Sequence, residues 1–439
     1  MISKTIAKFA ANTSSDSIPD SARQIMRLSL LDWCAVTLAG FKEPVSAKVR
    51  NMVLADGGSP DSSLIGANEK LPARSAALSN GTTSHALDYD DTHFIYIGHP
   101  SVAVLPAAFA IAEKRNLSLS QLVDAALLGV ESACRIGDWM GREHYQTGFH
   151  QTATSGCFGA AMAAARLLQL DVNQTMHALG LASTRASGLK SQFGNMGKPF
   201  NAGLAASNAV EVATLAGDGF LSRPDGLECE QGFASTHSGE ARDPEQVLQN
   251  LGTEYLFESV QHKFHACCHG IHATLEALND LVNTHQPDAQ LIERVEVTIH
   301  PRWLRVCNIP RPESGLEAKF SYKLATAMAL HGIDTGALDT YTDENCRRPE
   351  LIQLRDRVVV HSDATVSETA AKVVVETKGV RLEQSHDLEQ PRSIQDRTDR
   401  VQAKAATLIG KDRVQRLWNQ INNSNDLSAR QFVQIVNQQ

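Results

Sequence analysis

The chain is poor in several features that would each have fixed a class. Aromatic residues make up only 5% of its 439 residues. No run of about 18 apolar residues free of charge occurs, which excludes a hydrophobic helix crossing a bilayer. The eight cysteines are scattered without a CxxC pair, and only Cys267 and Cys268 are adjacent. Neither a disulfide framework nor a thiolate metal site is signalled. Basic residues are in deficit: 41 Lys and Arg against 49 Asp and Glu leave a net charge of −8. That balance argues against a general nucleic-acid surface, which needs a basic face. The first thirty residues contain no unbroken apolar core followed by a small-residue cleavage site. A soluble, cytoplasmic protein with reduced thiols is the expectation, with neither membrane nor nucleic acid as a partner.

What is present is helix. A hydrophobic content of 42% suits a globular chain, and its length suggests two domains or one large domain with an insertion. SARQIMRLSLLDWCAVTLAG carries apolar residues at helical spacing and stops at Gly40. SVAVLPAAFAIAEKRN, LVDAALLGVESACRIGDWM, TSGCFGAAMAAARLLQL and AGLAASNAVEVATLAGDGF repeat the pattern with alanine and glycine dense enough for close helix packing. After about residue 270 the texture changes. LIERVEVTIH (291–300), RVVVHSD (357–363) and AKVVVETKGVRL (371–382) read as three strands, with FSYKLATAMALHG as a helix among them. The last 45 residues return to helix. The expected fold is mainly α: a discontinuous helical-bundle domain, 1–268 with 397–439, and a smaller inserted α/β (α+β) domain, 269–396.

The densest polar cluster is His85-Ala-Leu-Asp88-Tyr89-Asp90-Asp91-Thr92-His93, followed by Gly98-His99-Pro100-Ser101. Such a cluster is costly near a core unless its members pair or serve a ligand. Three readings stay open: an acid/base group with Asp88 orienting a near-neutral His99, a metal site, or a helix end with Asp90, Asp91 and Thr92 as caps. No HExxH or paired-cysteine spacing supports the metal. Tyr145-Gln-Thr-Gly-Phe-His150 lies between two helices, where His150 beside a helix N-terminus suits an anion; a packed loop is the plain alternative. Gly197-Lys198-Pro199 puts a lysine at a helix entry, against the dipole, which an anionic ligand would relieve; a surface lysine is the plain alternative. Lys263-Phe-His-Ala-Cys-Cys-His269 adds cations at the expected domain junction, a common place for a cleft. Cys267 there reads more naturally as a buried thiol than as a nucleophile.

Taken in order, LDYDDTH with GHPS, GFH, GKPFNAG and KFHACCHG resemble the motifs of the MmgE/PrpD family across nearly the whole chain, including DWCAVTLAG. The family includes 2-methylcitrate dehydratase, cis-aconitate decarboxylase and iminodisuccinate epimerase. The resemblance implies a helical domain, a smaller α/β domain, a cleft between them, a homodimer, and catalysis without metal or cofactor. It maps a pocket onto Asp88, Thr92, His99, His150, Lys198 and Lys263. Two departures from the decarboxylase pattern stand out: one extra residue between Thr92 and His99, and Phe320 where a tyrosine is usual, with Tyr322 nearby.

These departures, with the shorter chain, favour an isomerase: an epimerase of a small amino-polycarboxylate of the iminodisuccinate kind. Lys198 and Tyr145 would act from opposite faces of the carbon beside a carboxylate, with His99 as third catalytic group. Asp88, Thr92, His150 and Lys263 would bind the substrate. The alternative is a lyase, a dehydratase or decarboxylase of a tricarboxylate. A metal hydrolase and an inactive binding protein are the readings from other classes.

Overall fold

The computed structural model describes residues 1–423 and 426–438. The chain is mainly α, with a small mixed sheet. It divides into two compact units, residues 1–262 with 394–439, and residues 263–393. The expected helical return over 397–439 includes Ser424, Asn425 and Gln439, which lie outside the described residues. Among the described residues no helix is long and apolar enough to cross a membrane.

The first unit is built on five helices: Ala73–Ser84, Pro100–Arg115, Leu119–Thr147, Thr154–Leu167 and Gly197–Gly217. Their contact surfaces are mostly alanine and glycine; Ala160, Ala161, Ala163 and Ala164 are all fully buried in one helix. Small residues let backbones approach. A Cβ placed on Gly81 would stand 2.9 Å from Gly203 Cα, and one on Gly203 would collide with Thr82 Oγ1 and the Leu78 carbonyl. Gly159 likewise lies against the Gly129 carbonyl, with Ala133 Cβ 2.6 Å from where its own Cβ would be. The helix Leu119–Thr147 starts at a capping box, Ser118 with Gln121, and breaks at Gly141 (φ 74°) before its last turn. The helix Ile394–Ile409 returns to this unit and packs along Asp20–Gly40, where Lys404 Nζ reaches Asp32 at 2.6 Å. Two short strands, β1 (Ser62–Ser63) and β2 (Lys70–Leu71), form a small antiparallel pair.

The second unit holds a four-stranded sheet in the order β4-β3-β5-β6: β3 is Ile292–Ile299, β4 Val358–Ser362, β5 Ala370–Thr377 and β6 Val380–Asp387. β3 runs parallel to β4 and antiparallel to β5. Val295, Val297 and Ile299 alternate into the core. A register shift between Ile292 and Arg294 breaks the alternation at the start of β3, so Glu293 and Arg294 are both exposed. The segment read as one strand over 371–382 is two strands, a correction with a local cause. Lys378 (φ 49°) and Gly379 (φ 73°) both take the left-handed conformation, as a two-residue hairpin turn requires. The helix His272–His285 packs on β5 and β6, and Tyr322–Leu330 packs on that helix and on β4.

The glycine contacts make a direct claim on stability. Gly203→Ala should lower the unfolding free energy by about 1–3 kcal/mol, because beyond the Thr82 hydroxyl the added methyl meets the Leu78 carbonyl and the Thr82 amide, backbone that cannot turn away. Urea unfolding of the variant measures it. A loss below roughly 0.5 kcal/mol, the range of ordinary surface changes, would mean that these helices can separate at no cost.

Candidate active site

The site forms in the first unit, where the segment His85–His99 crosses the ends of four helices. Ala73–Ser84 ends at His85, and Pro100–Arg115 begins directly after His99, with Pro100 at a position that needs no amide hydrogen. Between them Asp88 sits at φ 51°, a conformation costly for most side chains but tolerated by aspartate. The loop ahead of Thr154–Leu167 supplies His150, and the first turn of Gly197–Gly217 supplies Lys198.

These side chains converge on two carboxylates. Lys198 Nζ lies 2.7 Å from Asp88 Oδ2. His99 stands between Asp88 and Asp90, with Nε2 3.4 Å from Asp88 Oδ1 and Nδ1 2.8 Å from Asp90 Oδ2. The second approach is close but lies off the line of a hydrogen bond, and neither atom makes one. His85 Nδ1 does hydrogen-bond Asp90, at 2.9 Å from Oδ1. The His85 ring meets His99 edge-on at 4.6 Å and stacks on His150 at 6.0 Å between centroids. Phe193 packs edge-on against His150, and Lys198 lies 5.2 Å from its ring centre. Asn201 Nδ2 donates to His150 Nδ1 at 3.4 Å. That places the hydrogen of neutral His150 on Nε2.

Burial sets the protonation states. It would raise the Asp90 carboxyl, but His85 and His99 hold it well below the usual range. Burial lowers His99 to about 4 against the pull of Asp90, with His85 and Lys198 adding to the fall. His150 is pushed well down by burial, helped by the nearby imidazoles and Lys198. The expectation of a near-neutral His99 oriented by Asp88 is therefore corrected: Asp90 is its nearer carboxylate, and burial favours the neutral ring.

Behind this group lies a second polar layer. Asp91 accepts hydrogen bonds from the Ser101 amide (3.3 Å) and hydroxyl, and so caps the helix that His99 begins. Burial, with Asp32 and Asp90 nearby, raises Asp91 to about 7 against the lowering effect of Ser101. Ser29 Oγ and His262 Nε2 are 3.0 Å apart.

The model of the MmgE/PrpD N-terminal domain matches residues 4–246, and that of the C-terminal domain matches 265–426. The chain belongs to the MmgE/PrpD family. Its relatives include cis-aconitate decarboxylase of Aspergillus terreus, 29% identical over 384 residues, covering 81% of this chain and 77% of the relative. A cis-aconitate decarboxylase-like protein, oryM, of Aspergillus oryzae is 31% identical over 295 residues, covering 63% and 61%. Human cis-aconitate decarboxylase is 27% identical over 303 residues, covering 66% and 61%. These relatives are lyases by name, so the expected isomerase, and with it iminodisuccinate as substrate, is overturned. The reason is chemical. Epimerisation, dehydration and decarboxylation all place charge on carboxylate oxygens, and the same cations serve each.

Of the residues the MmgE/PrpD motifs indicated, His99 and Lys198 each contact Asp88, and His150 joins them through the His85 ring. Thr92 is buried beside them, its amide donating to the Gln261 carbonyl at 2.8 Å. Tyr145 lies on the last turn of Leu119–Thr147, where Lys190 covers its ring at 3.8 Å and donates to its carbonyl at 2.9 Å. Lys263 opens the second unit and is buried. The reading of single motifs weighed His85 only as a possible metal ligand and named Asp90 as a cap. The signal was present in the five-residue spacing of His85 and Asp90, which a tight turn closes.

One donor atom from each of His85, Asp88, Asp90 and His99 lies within 4.8 Å of the others, a spacing a divalent ion could use. At Asp88 the positive charge present is that of Lys198.

The buried imidazoles predict an acid-sensitive fold. Burial lowers His93 and His99 to about 4, and His150 and His262 lie well below their ordinary value. Between about pH 6.5 and 4 the unfolded chain binds protons at these positions and the native one does not. Their stabilisation is therefore complete above about 6.5 and lost as pH falls toward 4. Asp91 and Glu131 act oppositely, since carboxyls raised by burial contribute at low pH and cease to as pH rises, but they are two groups against these four. Thermal unfolding should have a clearly lower midpoint at pH 5 than at pH 7.5. An equal or higher midpoint at pH 5 would contradict the assignment.

Proposed function

We propose that this chain is a carbon–carbon lyase that removes carbon dioxide from a tricarboxylate of the cis-aconitate type, without metal or organic cofactor. Relatives named for that reaction support the substrate. The observation that carries the chemistry is the Lys198–Asp88–His99 run of contacts at 2.7 and 3.4 Å.

In cis-aconitate one carboxylate sits a single saturated carbon away from the double bond. When the bond to that carboxylate breaks, its electron pair forms a new double bond and carbon dioxide leaves. The former π pair moves to the far alkene carbon, where the neighbouring carboxylate delocalises it. One proton then adds at that carbon, giving 2-methylenebutanedioate. The barrier falls if a cation waits where negative charge accumulates and if an acid stands at the protonated carbon. Lys198 is suited to both tasks: it is a cation fixed by Asp88 on the first turn of a helix whose free amides also favour an anion. Asp88, with 39% of its side chain exposed, connects the ammonium to solvent and so to a fresh proton. His99 orients Asp88 from the other side. The pairing of Lys198 with Tyr145 belonged to the epimerase scheme and lapses with it; Tyr145 enters here only as the partner of Lys190.

In heavy water, proton NMR with cis-aconitate should show carbon dioxide loss and one deuterium in the saturated CH2 of the product, with none in its =CH2 group. Lys198→Ala should slow this at least about a hundredfold. Dehydration of 2-methylcitrate with cis-aconitate left intact would replace this reading with a dehydratase.

Turnover should also survive prolonged treatment with EDTA, because Lys198 supplies the positive charge opposite Asp88. Loss of activity to the chelator, restored by zinc, manganese or iron, would reverse the assignment of the His/Asp group.

A further inference from the structure

The charge in the site does not match the proposed substrate. Asp88 and Asp90 are two carboxylates, and Lys198 is the ammonium that faces them. A tricarboxylate brings three more negative charges. Clustered with these groups are the imidazoles of His85, His99 and His150.

Among these, His85 differs from the other two. His99 has a carboxylate oxygen near each nitrogen, leaving no position for another anion. His150 already presents an Nε2 hydrogen in its neutral form. His85 gives its Nδ1 hydrogen to Asp90 at 2.9 Å, since an ionised carboxylate can only accept. Its other nitrogen, Nε2, is the one left over. That atom is buried, in a residue only 1% exposed, and has no hydrogen-bond partner. His150 Nε2 is equally buried and unpartnered. Two unpartnered imidazole nitrogens on stacked rings are costly in the free protein unless a ligand or water meets them.

We propose that His85 is a ligand for a substrate carboxylate and takes up one proton at Nε2 as that carboxylate binds. The imidazolium would then donate in two directions, to Asp90 through Nδ1 and to the substrate through Nε2, with the His150 Nε2 hydrogen as a second donor. Asp90 makes the charged ring affordable, as a carboxylate behind an imidazole does generally. The groups that bear on this proton are Asp88 and Asp90 on the same segment and Asp91 just beyond. His99 at the next helix start, His150 on the following loop and Lys198 on the Gly197–Gly217 helix complete the set. The inference rests on the tricarboxylate reading above.

Propane-1,2,3-tricarboxylate, which lacks the double bond and cannot follow the proposed route, is a suitable probe. Titration calorimetry at pH 8 in buffers of different ionisation enthalpy counts the protons exchanged on binding. The wild type should take up close to one proton. Its affinity should weaken about tenfold for each pH unit above 8, as linkage to one proton requires. His85→Asn keeps an N–H donor near the Nδ1 position but cannot be protonated. It should bind with little uptake and about tenfold or more weaker. Uptake undiminished in that variant would move the proton to another group, and a pH-independent affinity in the wild type would overturn the proposal without any variant. Proton-linked binding with no carbon dioxide released from cis-aconitate would sink the lyase reading alone. Absence of tricarboxylate binding would sink both.

Discussion

Everything at the site follows from one buried negative charge. Asp90 is 1% exposed, and an isolated carboxylate there would cost far more than one hydrogen bond returns. The fold meets that cost with two imidazoles, His85 from the end of one helix and His99 from the start of the next. The turn from His85 to Asp90 is short, and within it Asp88 takes the left-handed conformation with its carboxylate against Lys198. A neutral residue at position 90 would leave two rings without a reason to converge.

The second polar layer anchors this arrangement to the rest of its unit. Lys404 bridges Asp32 and the Tyr89 carbonyl, so a helix near the end of the chain holds the segment that carries Asp88 and Asp90. Asp91 turns the opposite way and caps the His99 helix through Ser101. Neighbouring aspartates thus do different work because adjacent side chains of a tight loop point apart: one orders imidazoles, the other orders a backbone end.

Much of this architecture was legible in the residues. Small-residue periodicity located the helices because it reports directly on how closely backbones pack, and the β-branched alternation located the sheet. The hairpin at Lys378–Gly379 escaped because a two-residue turn leaves almost no polar interruption between its strands. Lys198 was visible as an electrostatic anomaly at a helix start. His85 was not, since its importance lies in a nitrogen left without a partner, and only three-dimensional surroundings show which nitrogen that is. The choice among lyase and isomerase chemistries lay beyond the motif residues altogether, for all of them need the same cations around the same carboxylates. Phe320 and the shorter chain carried too little chemistry to separate them.

The alanine and glycine of the bundle have a mechanical consequence. A core of leucines accommodates a small displacement by turning side chains among rotamers, and so dissipates it locally. Alanine has no rotamer to change, and where Gly81 meets Gly203 one backbone rests on another. Strain entering such a unit has no soft degree of freedom to occupy, so helices shift as rods. A fraction of an ångström of slip along Gly197–Gly217 arrives undiminished at Lys198, which makes this scaffold a stiff lever with an ammonium at its tip.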